Sequence, residues 1–291
     1  MDKKYFKYMS REEWNLRKSA VEYALKDNKV DTAVKLIGNL AQKHTRLYKF
    51  YRPRPHSIEA IRNSEIYMCR PSGYNDNGDC AYISDNKSLS KYFVEVYKRD
   101  EYEPLLPFMT DDFHNKIGQT MDSHPDFIEF SKRFRDEALI ACISENYSEE
   151  MWEEYADHSK GFCAVFDTNE LIVRSLELGF FIYPVRYVES RNKCTDICFS
   201  SEDYRDDESF DSYTKKHHLS CLTKDMLPYS KEGEWRLIRF NTEISEEEKG
   251  RNYPFIKPHT IITGENMDHS SEVYKSLVKI SKDNGIVLCH A

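Results

Sequence analysis

The sequence is broken into short apolar runs of strand length that alternate irregularly with helical stretches. RLYKFY, EIYMC, ALIACIS, GFCAVFD, EWRLIRF, HTIITG and GIVLCHA carry β-branched or aromatic residues over a few positions, and most stop at Gly, Pro, Asn or Asp. A parallel sheet needs a crossover helix between each pair of strands, and no regular βαβ spacing is present. Neither GxxxxGK[ST] nor GxGxxG occurs, so no phosphate-binding glycine loop is expected. The pattern predicts an α+β fold with a mixed, mostly antiparallel sheet core, helical insertions and an N-terminal helical hairpin. The expected units are 1–44 for the hairpin and 45–291 for an α+β domain, with a helical insertion at about 88–137.

Within the hairpin, Ser10 and Glu13 have the spacing of a capping box, and Trp14, Val21, Ala24 and Leu25 recur near the helical period. A turn at Asp27-Asn28-Lys29 precedes a second helix carrying Val34, Leu36, Ile37 and Leu40. Its apolar face either packs on the main domain, the reading these patterns favour, or binds a partner or a second copy. Further along, helices are expected at Ser57 to Asn63, over SEEMWEEYADHSKG up to Gly161, at 168–178, and from Glu272 to Lys282. Pro184 interrupts FIYPVRYVE, which marks an edge strand or a bulge. The acidic stretch SSEDYRDDESFDSYTKK reads as a solvated helix or loop.

Apolar residues make up only 40% of the chain, but 20 Tyr, 16 Phe and 3 Trp supply the area for a real core. A net charge of −8 argues against a protein that coats nucleic acid by charge alone. No apolar run is long enough to span a bilayer, and MDKKYFKYMSREEW lacks the apolar stretch of a signal peptide, so no membrane association and a cytoplasmic location are expected. The eight scattered cysteines fit buried free thiols in a reducing compartment. The step from Cys194 to Cys198, with His217 and His218 downstream, is not the spacing of a zinc knuckle.

Four segments stand in a characteristic order: LYKFYRP (47–53), IYMCRPSGYNDNGDC (66–80), MWEEYADHSKGFCAVFD (151–167) and EGEWRLI (232–238). Together they resemble the bacterial family known as domain of unknown function 2971. That family carries a Tyr-Lys-Tyr/Phe opening, a strand leading into a Phe-Asn-Asp-Pro loop, a Trp-x-x-Tyr-Ala…Gly-Phe-Cys…Phe-Asp segment and a late Glu-x-Glu-aromatic-Arg strand. The resemblance extends over roughly 46–265, with the Trp-to-Asp segment its most specific part. Here the loop reads Tyr74, Asn75, Asp76, Asn77, Gly78, Asp79, without the family's proline.

The order of a basic aromatic strand, a short helix, a second strand with a polar loop and a late ExE strand is also similar to ADP-ribosyltransferases. That resemblance implies NAD as the substrate and a macromolecular acceptor, protein or nucleic acid, or water in an NAD glycohydrolase. It implies Glu234 as the carboxylate that stabilises the cationic sugar as nicotinamide leaves, and Glu232 as the group that deprotonates the acceptor. Lys49 and Arg52 would hold the pyrophosphate. Tyr67, Arg70, Ser72 and Tyr74 would line the middle wall, with Asn75, Asp76, Tyr155 and Arg236 as further dinucleotide contacts. A role as a toxin or anti-phage effector suits such chemistry.

The residues leave other readings open. Positions two apart on a strand share a face, so Glu234 and Arg236 also make an ordinary surface ion pair. Asn75, Asp76 and Asp79 build turns by themselves, but with Glu234 they also offer oxygens to a divalent ion, as in a metal-dependent nuclease. A sensor that binds a nucleotide or a protein without turnover is the third reading. Trp152 reads as a core anchor, while Tyr155 and His158, near the helix end, are placed to reach a cleft.

Overall fold

The computed structural model describes residues 10–24, 30–74, 76, 78–85, 87, 88, 90, 94, 110–123, 125–200, 203, 215–240, 245 and 248–291. Asn75, the hairpin turn, most of the segment 89–109 and most of the acidic stretch lie outside these residues. Among the described residues no helix is long and apolar enough to cross a membrane.

The strands are β1 (Arg46–Tyr51), β2 (Glu65–Cys69), β3 (Ala138–Ser144), β4 (Phe162–Asp167), β5 (Phe181–Pro184), β6 (Arg186–Val188), β7 (Thr223–Asp225), β8 (Glu234–Phe240), β9 (Gly250–Pro254), β10 (Thr260–Thr263) and β11 (Val287–His290), and all but β7 and β9 form where the apolar runs predict them. Nine of them make one mixed sheet in the order β11-β10-β4-β1-β3-β2-β9, with β8 paired to β3 and β5. All its pairings are antiparallel except β10 with β11. The fold is α+β. The inner strands are buried on both faces, so ALIACIS and GFCAVFD read as continuous apolar runs rather than as alternating ones.

β3 organises the site. β8 pairs with it along its whole length, from Ala138↔Phe240 to Ser144↔Glu234. The opposite edge of β3 is shared: β1 meets it at Ser144 and β2 at Ile140. The sheet therefore forks between β1 and β2 opposite Cys142. There Lys49 Nζ donates to the Cys142 carbonyl at 2.9 Å, and the Tyr74 hydroxyl donates to that of Ile140 at 3.2 Å. Side chains cap the carbonyls of β3 where the ladder opens.

Pro184 splits FIYPVRYVE as expected of a residue without an N–H. β5 ends there as an edge strand on β8, and the chain crosses to a separate two-stranded parallel sheet, β6 with β7. The helix predicted to run to Gly161 stops earlier, at Tyr155. Asp157, His158 and Ser159 take left-handed backbone angles in succession, with φ of 52°, 56° and 61°. They lead to Gly161, where a Cβ would lie 2.0 Å from the Tyr51 carbonyl, so only glycine admits this approach.

The N-terminal helices α1 (Arg11–Ala24) and α2 (Val30–Lys43) turn their apolar faces inward. Ala20, Val21, Ala33, Ile37, Leu40 and Ala41 join the same apolar cluster as the strands. The capping box is only half made. Ser10 Oγ accepts from the Glu13 amide at 3.1 Å, but the Glu13 carboxylate turns away to Arg17 at 3.0 Å and His44 at 3.1 Å. Its reason is Arg17, which is 1% exposed and needs anions. Arg17 also pairs with Glu145, whose other oxygen accepts from Trp235 Nε1 at 2.8 Å. Trp14 Nε1 donates to the Tyr187 carbonyl at 3.0 Å.

Burial opposes the charge on His44, but its bond to Glu13 and the nearby Glu145 carboxylate outweigh this and raise its pKa. Burial likewise opposes ionisation of Glu13, yet His44 and Arg17 lower its pKa. The histidine contribution is full below its unfolded value and is lost as pH rises through the raised one. The glutamate contribution is full above its unfolded value and is lost as pH falls through the lowered one. The protection factors of the α1 and α2 amides, corrected for the intrinsic pH dependence of exchange, should be highest between these limits and should fall as pH rises past the raised His44 value. His44→Gln should remove that alkaline change and leave the acid limb.

Candidate functional site

Glu232 and Glu234 do not occupy one strand. Glu232 closes a short 3₁₀ turn, Ser230–Glu232, and Gly233 follows with φ of 50°, so β8 begins only at Glu234. A Cβ at Gly233 would sit 2.7 Å from the Glu145 side chain, which adds a steric reason for glycine. The left-handed turn nevertheless brings both carboxylates to one cation, Lys224. Its Nζ lies 2.8 Å from Glu232 Oε2 and 3.2 Å from Glu234 Oε2.

The Glu234–Arg236 pair is not at the surface. Arg236 is 0% exposed and Glu234 3%. Arg236 donates through Nε to Glu234 Oε1 at 2.8 Å, through Nη2 to Asp79 Oδ2 at 2.7 Å, and through Nη1 to the Cys221 carbonyl at 2.7 Å. The Tyr187 hydroxyl accepts from the Glu234 amide at 2.8 Å. Burial penalises the Glu234 charge, but Arg236 first and Lys224 second more than compensate and hold its carboxyl well below the usual range. Burial also opposes the charges on Arg236 and Lys224. Asp79 and then Glu234 keep Arg236 cationic, and Glu234 first keeps Lys224 so.

Glu232 is poised the other way. Burial and then the Glu234 charge raise its pKa, against the pull of Lys224. Its second oxygen accepts from the Tyr155 hydroxyl at 2.7 Å. Tyr155 is 40% exposed, so it connects the buried acids to solvent. The half-buried Tyr229 lies with its ring 4.2 Å from Lys224 Nζ and bonds the Asp76 side chain. Tyr155, Tyr229 and Asp76 thus form the outer layer, Glu232 and Lys224 the middle one, and Glu234, Arg236 and Asp79 the inner one.

The other residues expected at the site divide. Lys49 and Tyr74 reach it: burial lowers the Lys49 pKa while Cys142, Cys69 and Glu234 favour its charge, and burial raises that of Tyr74, whose neighbours include Cys142 and Arg236. Cys142 also bonds the Glu234 side chain. Arg52 is exposed beyond the end of β1. Tyr67 is 47% exposed on β2. Arg70 Nη2 donates to the Ser245 carbonyl at 3.0 Å, and Ser72 Oγ to Asp136 at 2.9 Å. His158 pairs with Glu153 at the surface. Trp152 is the expected anchor, 6% exposed, with Phe50 edge-on at 5.2 Å.

The loop acids are already committed. Asp76 Oδ1 accepts from the Gly78 amide at 2.8 Å, an Asx turn, and Asp79 pairs with Arg236. Arg135 donates to the Asp76 and Asp79 carbonyls at 3.1 Å each, placing a second guanidinium beside the loop. A divalent cation is disfavoured there. Among the described residues the group with metal-ligand spacing is Glu13, His44 and Glu145, where Arg17 supplies the cation. Sequence reasoning missed Lys224, Tyr187 and Tyr229. The sole hint was a lysine set among Leu222, Met226 and the ExE segment.

Residues 151–237 match the sequence profile of a family described as a protein of unknown function (DUF2971). This bears out the family resemblance over the span from the helix Glu149–Tyr155 into β8, which includes Tyr155, Tyr187, Cys221, Lys224, Glu232, Glu234 and Arg236. No curated protein and no solved structure matches the chain.

Removing one partner from a buried, hydrogen-bonded ion pair costs about 3–5 kcal/mol. Arg236→Met should lower the urea unfolding free energy by about that much. Adding Glu234→Gln to Arg236→Met should cost far less than Glu234→Gln alone, because the carboxylate has by then lost its main counter-charge.

Proposed function

We propose that this chain is an enzyme that cleaves the nicotinamide glycosidic bond of NAD and passes ADP-ribose to a macromolecular acceptor or to water. The observation that carries this reading is the pair of carboxylates on Lys224, one driven below and the other above the ordinary value. Pairs of acids pushed apart in this way are the usual basis of acid and base roles in one site.

In this reading the role expected of Glu234 from the order of segments changes, and that of Glu232 is kept. Glu234, tied on both oxygens, supplies the fixed negative charge that keeps Glu232 basic. Glu232, next to the exposed Tyr155, takes the proton from the acceptor hydroxyl or water as the bond to nicotinamide breaks. Tyr155 and Tyr229 offer aromatic faces to the leaving ring, and Lys49 is the cationic contribution of the opening strand that reaches the site, while Arg52 lies exposed beyond the strand's end. The chemistry fits a cytoplasmic toxin or anti-phage effector.

A second reading has its own observation. Every oxygen of Glu232 and Glu234 is bonded to a protein group, as expected of a structural network in a sensor that binds without turnover.

The two readings separate on nicotinamide release. For the enzyme, NAD at a hundredfold excess over its dissociation constant adds about 2.7 kcal/mol of stability. Nicotinamide is released, and Glu232→Gln cuts the rate by about a hundredfold or more while leaving the thermal shift in place. A shift without release supports the sensor. Neither shift nor release removes NAD from both.

A further inference from the structure

The turn from β1 into the next helix gathers hydrogen-bond donors with no acceptor facing them. α3 (Pro55–Asn63) follows the short link Arg52-Pro53-Arg54. The Arg54 amide closes on the Arg52 carbonyl at 2.8 Å, a γ-turn centred on Pro53 that holds the two arginines within three residues. Pro55 opens the helix, and Arg54 stands at its N-cap with extended backbone. A guanidinium cannot accept, so no side chain caps this helix start. The helices Glu149–Tyr155, Thr168–Glu177 and Glu272–Asn284 are instead capped by Ser148, Asp167 and Ser271.

The Ser57 and Ile58 amides reach the Arg54 carbonyl at 3.0 and 3.3 Å, and Pro55 has no amide hydrogen. The His56 amide is left without an acceptor among the described residues. Ser57 points the same way independently. It is 6% exposed, yet its hydroxyl makes no hydrogen bond among the described residues. The Cα–Cβ bond of a helical residue tilts toward the N-terminus, so this hydroxyl is aimed at the uncapped turn. A buried hydroxyl left unpaired is costly, and a ligand oxygen at the turn removes that cost. The turn is open to ligand, because Arg52, Arg54, Pro55 and His56 are all exposed. Neither arginine makes an ion pair among the described residues, and neither does Glu59 one turn along. Tyr51 pairs with Phe162, and Gly161 packs on the Tyr51 carbonyl, so the exposed Lys160 adds a further cation at this end of β1.

We propose that the start of α3 binds a terminal phosphate group, either free phosphate or the end phosphate of a nucleotide. Such a group turns three oxygens outward and carries a charge of about −1.5 to −2. It can take up the two guanidinium groups, the His56 amide and the Ser57 hydroxyl together. A carboxylate, with two oxygens and a single charge, would leave donors unused. The positive end of the helix dipole adds to the attraction. Pro53 and Pro55 hold the turn in shape before the ligand arrives, so little ordering is needed on binding. Binding here does not involve the acid network and does not depend on the NAD reading.

The test follows the assigned amide signals of the full chain by nitrogen-15 NMR. The chain is titrated with inorganic phosphate and, separately, with adenosine 5′-monophosphate, at an ionic strength held constant with sodium chloride. Saturable shifts of the His56 and Ser57 amides are expected with both probes, and none with adenosine. Arg54→Ala and Ser57→Ala should each weaken binding by about tenfold or more. The rest of the spectrum should stay in place, because neither side chain bonds another described residue. Equal affinity for the two probes identifies free phosphate as the ligand. Tighter binding of the nucleotide, with added shifts beyond the turn, identifies a nucleotide. The absence of a saturable shift at these two amides in the unmodified chain, with either probe, would overturn the proposal. So would binding that Arg54→Ala leaves unchanged.

Discussion

Arg236 is a cation with no exposed surface, and burying such a group is costly unless anions and carbonyls face it. That requirement fixes much of the surrounding chain. It draws Asp79 inward from a loop that would otherwise be all turns, holds Glu234 at the start of β8, and bonds the carbonyl of Cys221. β8 then fixes β3, and β3 fixes the fork between β1 and β2. A second buried cation, Arg17, does the same for the N-terminal helices through Glu13 and Glu145.

The network is graded from inside to outside. Its inner acids are tied to arginine and Glu234 stays ionised, while Glu232 is left to compete with Glu234 for a single lysine. Competition for one counter-charge, together with burial, is what lifts its proton affinity. Tyr155 then links that acid to the surface. A purely structural network has no need for one of its acids to be poised apart from the others. The enzymatic reading rests on this inequality.

Much of the scaffold was legible in the sequence because it depends on local pattern. ALIACIS and EWRLIRF are strands with the predicted limits, Pro184 marks the change of sheet, and Trp152 is an anchor under β1. The ExE spacing located two interacting acids, but for a different reason from the one expected: a left-handed Gly233 and a shared lysine bring them together, not a common strand face. Lys224 could not be read because the pairing of β7 with β6 and the turn back to Glu232 place it, and neither leaves a periodic signature. The depth of Arg236 was hidden for a related reason. Asp79 lies far away in sequence, and its role as counter-ion depends on the fork that admits its loop. Arg70 and Ser72 fit a polar wall by position, yet their groups bond Ser245 and Asp136.

The central claim is that Glu232 and Glu234, divided by one glycine, hold their protons with very different affinity. Carbon-13 NMR of the glutamate carboxyl carbons, assigned with the two single Gln variants and followed through a pH titration of the folded protein, measures this directly. The account predicts that Glu234 remains ionised down to the acid limit of the fold while Glu232 titrates above the ordinary glutamate value. Two carboxyls titrating together near that ordinary value would contradict it.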